Sequence, residues 1–356
     1  MITRLAIENF RGLQQVVLDE LRSVNLIVGG NDTGKTSVLE ALVLLLGDTA
    51  AIRSLPITFR TNQTGGQSID DQNDRETFWS WLFYDRDSKN RIALEARIDG
   101  QATVRVQTES LPGRMRPHGP VERVLVRTDS RELGQIRAKR PVAPSGGVEL
   151  LRLGENQFSV ATGSSPKGFR MAVLSTRPTN PTADAENYNQ VALLADGEHR
   201  IEEVMKKIEP NLERLRYAKL PGTTAHLIFA DVGLSRAIPS SQMGQAFNRI
   251  LHIYTQVLAH RTNILLVDEI ENGIFSDSMP IVWRGLLAMC EQEGVQIFAT
   301  THSRECVMAA HSVAHERTKD ELCVQRLQLV KKKVEAVRLG IHHLEIASEM
   351  GLEVRS

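Results

Sequence analysis

Near the N-terminus, Gly29-Gly30-Asn31-Asp32-Thr33-Gly34-Lys35-Thr36 sets glycines, a lysine and a hydroxyl in the order G-x-x-x-x-G-K-[ST]. Glycines let a backbone turn until successive N–H groups converge on one anion, and the lysine adds a fixed positive charge. The threonine hydroxyl is a ligand for a hard cation. Together these residues can cradle the phosphates of a nucleoside triphosphate, with Lys35 on the β- and γ-phosphates and Thr36 on Mg²⁺. The expected nucleotide contacts are Gly29, Gly30, Asn31, Asp32, Thr33, Gly34, Lys35, Thr36 and Ser37. A carboxylate in such a loop needs compensating donors or a cation. Asp32 therefore either tunes the loop or is simply solvated, and solvation is the plainer reading.

Two more constellations lie far downstream. Asn263-Ile264-Leu265-Leu266-Val267-Asp268-Glu269 is an apolar run ending in adjacent acids. A buried strand rarely ends so unless a cation or a proton transfer offsets the desolvation. Asp268 suits Mg²⁺ held through water, and Glu269 suits polarisation of an attacking water. Val295-Gln296-Ile297-Phe298-Ala299-Thr300-Thr301-His302-Ser303 is a second apolar run, ending in hydroxyls and a histidine. At the C-terminal edge of a parallel sheet, His302 would stand beside the phosphates. Just before the acids, Ile238-Pro239-Ser240-Ser241-Gln242-Met243-Gly244-Gln245-Ala246-Phe247-Asn248-Arg249-Ile250-Leu251 places serines at a helix start. They can be an ordinary N-cap, or a hydroxyl and helix N-terminus aimed at an anion.

These groups need a scaffold. Val24–Val28 reads as a buried parallel strand and 37–46 as a buried helix, the flanks a phosphate loop requires. The nucleotide halves, 29–36 and 263–269, are separated by far more chain than a compact core needs, so an inserted lobe is expected. The expected division is an ATPase core of 1–60 and 225–356 around an inserted lobe of 61–224. Within the lobe, 91–98 and 102–108 read as a hairpin turning at Asp99-Gly100, and 121–127 and 148–153 read as further strands. The clusters 62–68, 111–120 and 141–147 read as loops. Residues 193–220 read as helical, with Ile201, Val204, Met205 and Ile208 on one face.

Composition narrows the setting. Lys and Arg total 43, as do Asp and Glu, so no global basic field draws nucleic acid. Cys290, Cys306 and Cys323 form neither a disulfide framework nor a zinc pair, and read as reduced, buried thiols. There is no signal-peptide pattern and no run of about 18 apolar residues, so a cytoplasmic protein without a membrane span is expected.

In that order, GGNDTGKTSVLEAL, IPSSQMGQAFNRIL, LLVDEIENGIF and FATTHSREC resemble the ABC-type ATPases of the SMC, RecF and OLD (overcoming-lysogenisation-defect) group. The opening IENFRGL and the closing LEIASEMGLEVRS extend the likeness across the chain, weakest over about 110–180. The resemblance implies an α/β P-loop fold of the ABC/SMC-head type with an inserted β-rich and helical lobe. It implies ATP and Mg²⁺ as ligands. It makes Asp268 and Glu269 the Walker B pair, His302 the switch histidine, and Ser240, Ser241 and Gly244 the signature that meets the γ-phosphate held by a second subunit. Relatives read closer to G-D-G where this chain has Gly244-Gln245-Ala246, and often carry histidine where Phe275 stands, so cross-subunit hydrolysis is expected to be slow or altered. Gln63 and Gln67 are the candidates for the Q-loop glutamine.

OLD nucleases continue into a Toprim domain, for which no room is expected before Ser356. The implied function is an ATP-gated homodimer, or higher homo-oligomer, regulating a separately encoded effector, a Toprim-type nuclease, in defence against phage. A RecF-like DNA-repair ATPase is the alternative. Its support is the basic run 114–140, where Arg114, Arg116, Arg123, Arg127, Arg131, Arg137, Lys139 and Arg140 outnumber the acids. A slow-turnover ATP-dependent scaffold is a third reading. Phosphoryl transfer to a metabolite fits least, because it needs neither signature helix nor switch histidine.

Overall fold

The computed structural model describes residues 1–47, 82–87, 90–99, 169–174, 180–220 and 222–340, with Ala51 and Leu55, and the backbone of strands within 102–161. Its centre is a sheet built for burial on both faces. Strand β3 (Val24–Gly29) is buried at every residue, as is β15 (Ile264–Val267) and β16 (Gln296–Thr300). Such continuous apolar runs are what a parallel sheet covered on two sides demands. With β11 (Met171–Leu174), β17 (Leu322–Val330) and β18 (Lys333–Leu339) the order is β11-β15-β16-β3-β17-β18. All neighbours are parallel except the β17–β18 hairpin.

A second sheet is antiparallel throughout, in the order β10-β9-β8-β5-β4-β1-β2. It comprises β1 (Ile2–Phe10), β2 (Leu13–Leu18), β4 (Ala93–Ile98), β5 (Ala102–Leu111), β8 (Glu122–Asp129), β9 (Gly147–Arg152) and β10 (Phe158–Ala161). Between the sheets runs α1 (Lys35–Leu46), buried at every position except Thr36. This explains its weak polar face: it packs on Ile27, Leu266 and Phe298 on one side and on Leu5, Ile7 and Leu94 on the other. The opposite face of the parallel sheet is covered by α2 (Pro181–Ala192), α3 (Gly197–Ile208), α4 (Gln245–Ala259), α5 (Met279–Glu293) and α6 (Arg304–Glu316). A small sheet of β12 (Arg214–Lys219), β13 (His226–Asp231) and β14 (Ile238–Pro239) leads into α4. Two-residue strands β6 (Met115–Arg116) and β7 (Gly119–Pro120) complete the set, inside the stretch read as loop.

Two expectations need correction. Residues 193–220 are not helical throughout: α3 ends at Ile208 and 214–219 is a strand. Arg214-Leu215-Arg216-Tyr217 alternates polar and apolar, a period of two, and Leu215 is the buried member. The stretch 61–224 is also not wholly apart from the core. Met171–Leu174 is an outer strand of the parallel sheet, beside β15, and Ala93–Ile98 pairs with β1. A buried parallel strand such as β15 needs hydrogen-bonding partners on both edges, and β11 supplies the second.

The three cysteines are free and buried, as read. Among the described residues no helix is long and apolar enough to cross a membrane. Gln63 and Gln67, the ending 344–356, and the loop readings 62–68 and 141–146 lie outside the described residues. So do the side chains of the basic run 114–140.

Candidate functional site

Three parallel strands deliver the site at one sheet edge. Strand β3 ends at Gly29, where φ is +145° and an added Cβ would stand 2.3 Å from the Leu327 carbonyl oxygen. Gly34, with φ +88°, is crowded by Leu13. Between these fixed points Thr33 Oγ1 donates to the Gly30 carbonyl at 2.9 Å, closing the turn. Lys35 Nζ crosses back over the loop and donates to the carbonyls of Gly29 (3.0 Å) and Gly30 (2.7 Å). Burial lowers its pKa, opposed by the nearby Asp268 and Glu269 carboxylates. Asn31 and Asp32 are exposed, which favours the solvated reading of Asp32. Ser37 is buried in the first turn of α1.

From β15, Asp268 emerges buried, its main-chain N–H donating to the Leu174 carbonyl at 2.9 Å. Its Oδ1 accepts from Thr300 Oγ1 at 2.6 Å and from Thr36 Oγ1 at 3.2 Å. Burial raises its pKa, and those two hydroxyls pull it partly back. Glu269, half-buried, holds a left-handed backbone with φ +47°, a conformation non-glycine residues adopt at a cost. Its N–H donates to Thr300 Oγ1 at 2.8 Å. Burial first, then the Asp268 and Glu271 carboxylates, raise its pKa. Thr300 at the end of β16 is thus the bracket that holds both acids, a residue missed in the sequence although the hydroxyls at that strand end were visible. His302 follows, close enough that its ring weighs on both acids, and its main-chain N–H donates to Glu271 Oε1 at 2.6 Å.

The serine-rich segment is built differently. Ser240–Gln242 forms a 3₁₀ turn and α4 begins at Gln245, with Gly244 as a cap that offers no side-chain acceptor. Ser240 is buried, whereas Ser241 and Gly244 are exposed. Hydrogen bonds here stay local: Met243 N–H to the Ser240 carbonyl, and Asn248 to the carbonyls of Met243 and Gly244. The segment abuts the loop after Glu269, where Gln245 Oε1 lies 3.7 Å from where a Gly273 Cβ would stand. Phe275 in that loop is 75% exposed. The structure therefore gathers Lys35, Thr36, Asp268, Glu269, Thr300 and His302. Ser240, Ser241 and Gly244 share none of the hydrogen bonds that tie that group together.

A hydroxyl and a carboxylate 3.2 Å apart beside a glycine-rich loop form a donor set that fits Mg²⁺. That ion prefers one or two protein oxygens plus phosphate oxygens and water. Among the described residues there is no cluster of three or more His, Cys, Asp or Glu suited to an all-protein cation cage.

A family profile described as "AAA ATPase domain" matches residues 1–98, and one described as "AAA domain, putative AbiEii toxin, Type IV TA system" matches 168–307. An ATP/GTP phosphatase of Helicobacter pylori is 20% identical over 89% of this chain and 89% of its own length. The DNA replication and repair protein RecF of a Marinomonas species is 36% identical over 30% of this chain and 26% of its own. RecF of Shewanella baltica is 35% identical over 31% of each, so the chain spans less than a third of these RecF relatives. Among solved structures, an Smc head bound to the C-winged helix domain of ScpA aligns over 96% of this chain and 98% of its own, with TM-score 0.53 and 12% identity. The fold is the P-loop α/β fold of the ABC/SMC type.

Proposed function

We propose that the chain is an ATPase of ABC/SMC type, a reading its profile matches and its similarity to an ATP/GTP phosphatase support, and that it binds ATP·Mg²⁺ between two copies of itself and uses hydrolysis to time their association. In this reading the N–H groups of 29–34 and the Lys35 ammonium hold the phosphates, with Asn31, Asp32 and Ser37 flanking them. Thr36 and Asp268 hold the cation. Bound ATP·Mg²⁺ supplies the phosphoanhydride to be cleaved and the charge that offsets the oxygens around it. Glu269 takes the proton of the attacking water, a role its raised pKa suits. His302 reports on the γ-phosphate. Ser240, Ser241 and Gly244 contribute to the nucleotide of the other copy, and the exposed start of α4 supplies N–H groups for that anion.

One observation carries this: the helix start of Gly244 is exposed and shares no hydrogen bond with the loop that begins at Gly29, so a neighbouring molecule can reach it. Replacing Glu269 with Gln should lower ATP turnover by roughly 10²–10⁴-fold, the ordinary worth of a general base. It should also trap an ATP-dependent dimer, seen by light scattering. A variant as monomeric with ATP as without it would refute the gating.

The biological setting proposed is regulation of a separately encoded nuclease in anti-phage defence, inside the cytoplasm. That setting rests on the motif resemblance to the OLD-type ATPases. The RecF similarity favours a second reading, direct DNA binding, for which the run 114–140 is the candidate surface. Its mark would be an affinity for DNA that falls steeply with salt. A scaffold that scarcely turns ATP over would instead show equal turnover in wild type and Glu269→Gln.

A further inference from the structure

Arg249 lies in the second turn of α4, 8% exposed, and its Nε and one Nη are buried with no hydrogen-bond partner. Charged groups are seldom buried in this way, because the desolvation is offset only by a well-formed pair. The opposite charge it feels is Glu271, in the loop that follows Glu269. Glu271 is itself half satisfied: Oε1 accepts from the His302 main-chain N–H at 2.6 Å, while Oε2 is buried without a partner. Free donors on α4 and a free acceptor of opposite charge in the loop thus lie near each other with no hydrogen bond between them. The first residue of α4, Gln245, already abuts that loop at Gly273.

Resting on the composite-site reading above, we infer that Arg249 is a positioning residue, which closes onto Glu271 when the start of α4 is engaged and so fixes His302. A helix moves as a rigid rod, so a pull on the amides after Gly244 displaces Arg249, little more than one turn along. Closure joins the Arg249 guanidinium to Glu271 Oε2 while Oε1 keeps the His302 N–H. The line then runs unbroken from the helix start to the histidine beside Asp268 and Glu269. The two unsatisfied groups are the open half of a two-position contact, which accounts for their retention.

The test uses the full chain with Arg249→Met, Arg249→Lys, Glu271→Gln and the Met/Gln double variant. Thermal midpoint, ATP affinity and turnover are measured for each. Because Met removes an unpaired buried charge and keeps the volume, Arg249→Met should melt at or above the wild-type temperature. Its affinity for ATP should hold and its turnover fall about tenfold. Arg249→Lys should recover part of the loss, and the double variant should be no slower than the slower single variant. The inference is overturned if Arg249→Met melts lower and turnover merely tracks the folded fraction. Wild-type turnover in Arg249→Met, or multiplying losses in the double variant, overturns it equally. If wild type itself turns over no faster than Glu269→Gln, the composite-site reading fails and takes this inference with it.

Discussion

Thr300 shows how one small side chain can set the geometry of two acids. Its hydroxyl donates to Asp268 Oδ1 and accepts from the Glu269 N–H, so a single oxygen orients the carboxylate proposed to hold the cation and fixes the backbone of the proposed general base. Thr300→Val keeps the shape and removes both bonds, leaving Asp268 Oδ1 with the Thr36 hydroxyl alone and the Glu269 main-chain N–H without its acceptor. The expected cost is about 1–3 kcal/mol in stability, read from urea denaturation. Turnover should also fall, because Glu269 loses the contact that holds its left-handed backbone. Thr300→Ser restores the hydroxyl and should restore both; a Val variant as stable and active as wild type would remove Thr300 from the site. The acids were legible in sequence because adjacent carboxylates at the end of an apolar strand are chemically conspicuous. Thr300 was not, since threonine is an ordinary strand residue whose second role appears only when β15 and β16 pair.

Elements are joined by an ion pair that periodicity conceals. Arg11, in the tight turn between β1 and β2, has φ +53° and is 7% exposed. Its guanidinium reaches Glu40 of α1, which is fully buried, one Nη donating to Oε1 at 2.9 Å. The turn of the antiparallel sheet is thereby pinned to the phosphate-loop helix, with Arg11 N–H further tied to the Leu82 carbonyl at 2.7 Å. Glu40→Ala removes the buried carboxylate that faces the Arg11 guanidinium and should cost about 3–5 kcal/mol, measured as a lowered thermal midpoint. The double change Arg11→Met, Glu40→Leu should recover much of that loss, since apolar packing replaces the pair without an orphaned charge. In sequence, Glu40 is one acid inside VLEALVLLL, and nothing in a helical apolar run says that its partner lies in an N-terminal turn. The same limit explains the misread strand at 214–219: it follows a helix closely, and only pairing with β13 distinguishes its alternation from a helical continuation.

At the scale of the whole molecule, the parallel sheet sends the phosphate loop, the two acids and His302 to one edge, while the start of α4 faces outward beside the loop that carries Phe275. Order along the chain made the first group readable, because each motif closes its own strand. Which surfaces meet a second copy is a property of the assembled surface, and there the sequence offered only a resemblance: the signature at Ser240, Ser241 and Gly244, with departures at Gln245, Ala246 and Phe275. A single exposed apolar residue is common on any protein. Phe275 is distinguished by place: two residues from Gly273, which abuts the first residue of α4. If two copies close around ATP, that phenyl ring is an apolar contact at their junction, and a charge there would be desolvated without a partner. Phe275→Glu in the Glu269→Gln background should therefore weaken the ATP-trapped dimer at least tenfold by concentration-dependent light scattering, a loss of about 1.4 kcal/mol or more. The monomer should melt unchanged and bind ATP unchanged, since the ring is exposed and lies outside both hydrophobic cores. A dimer of undiminished affinity would place Phe275 off the junction and require two copies to meet through a different face of this edge.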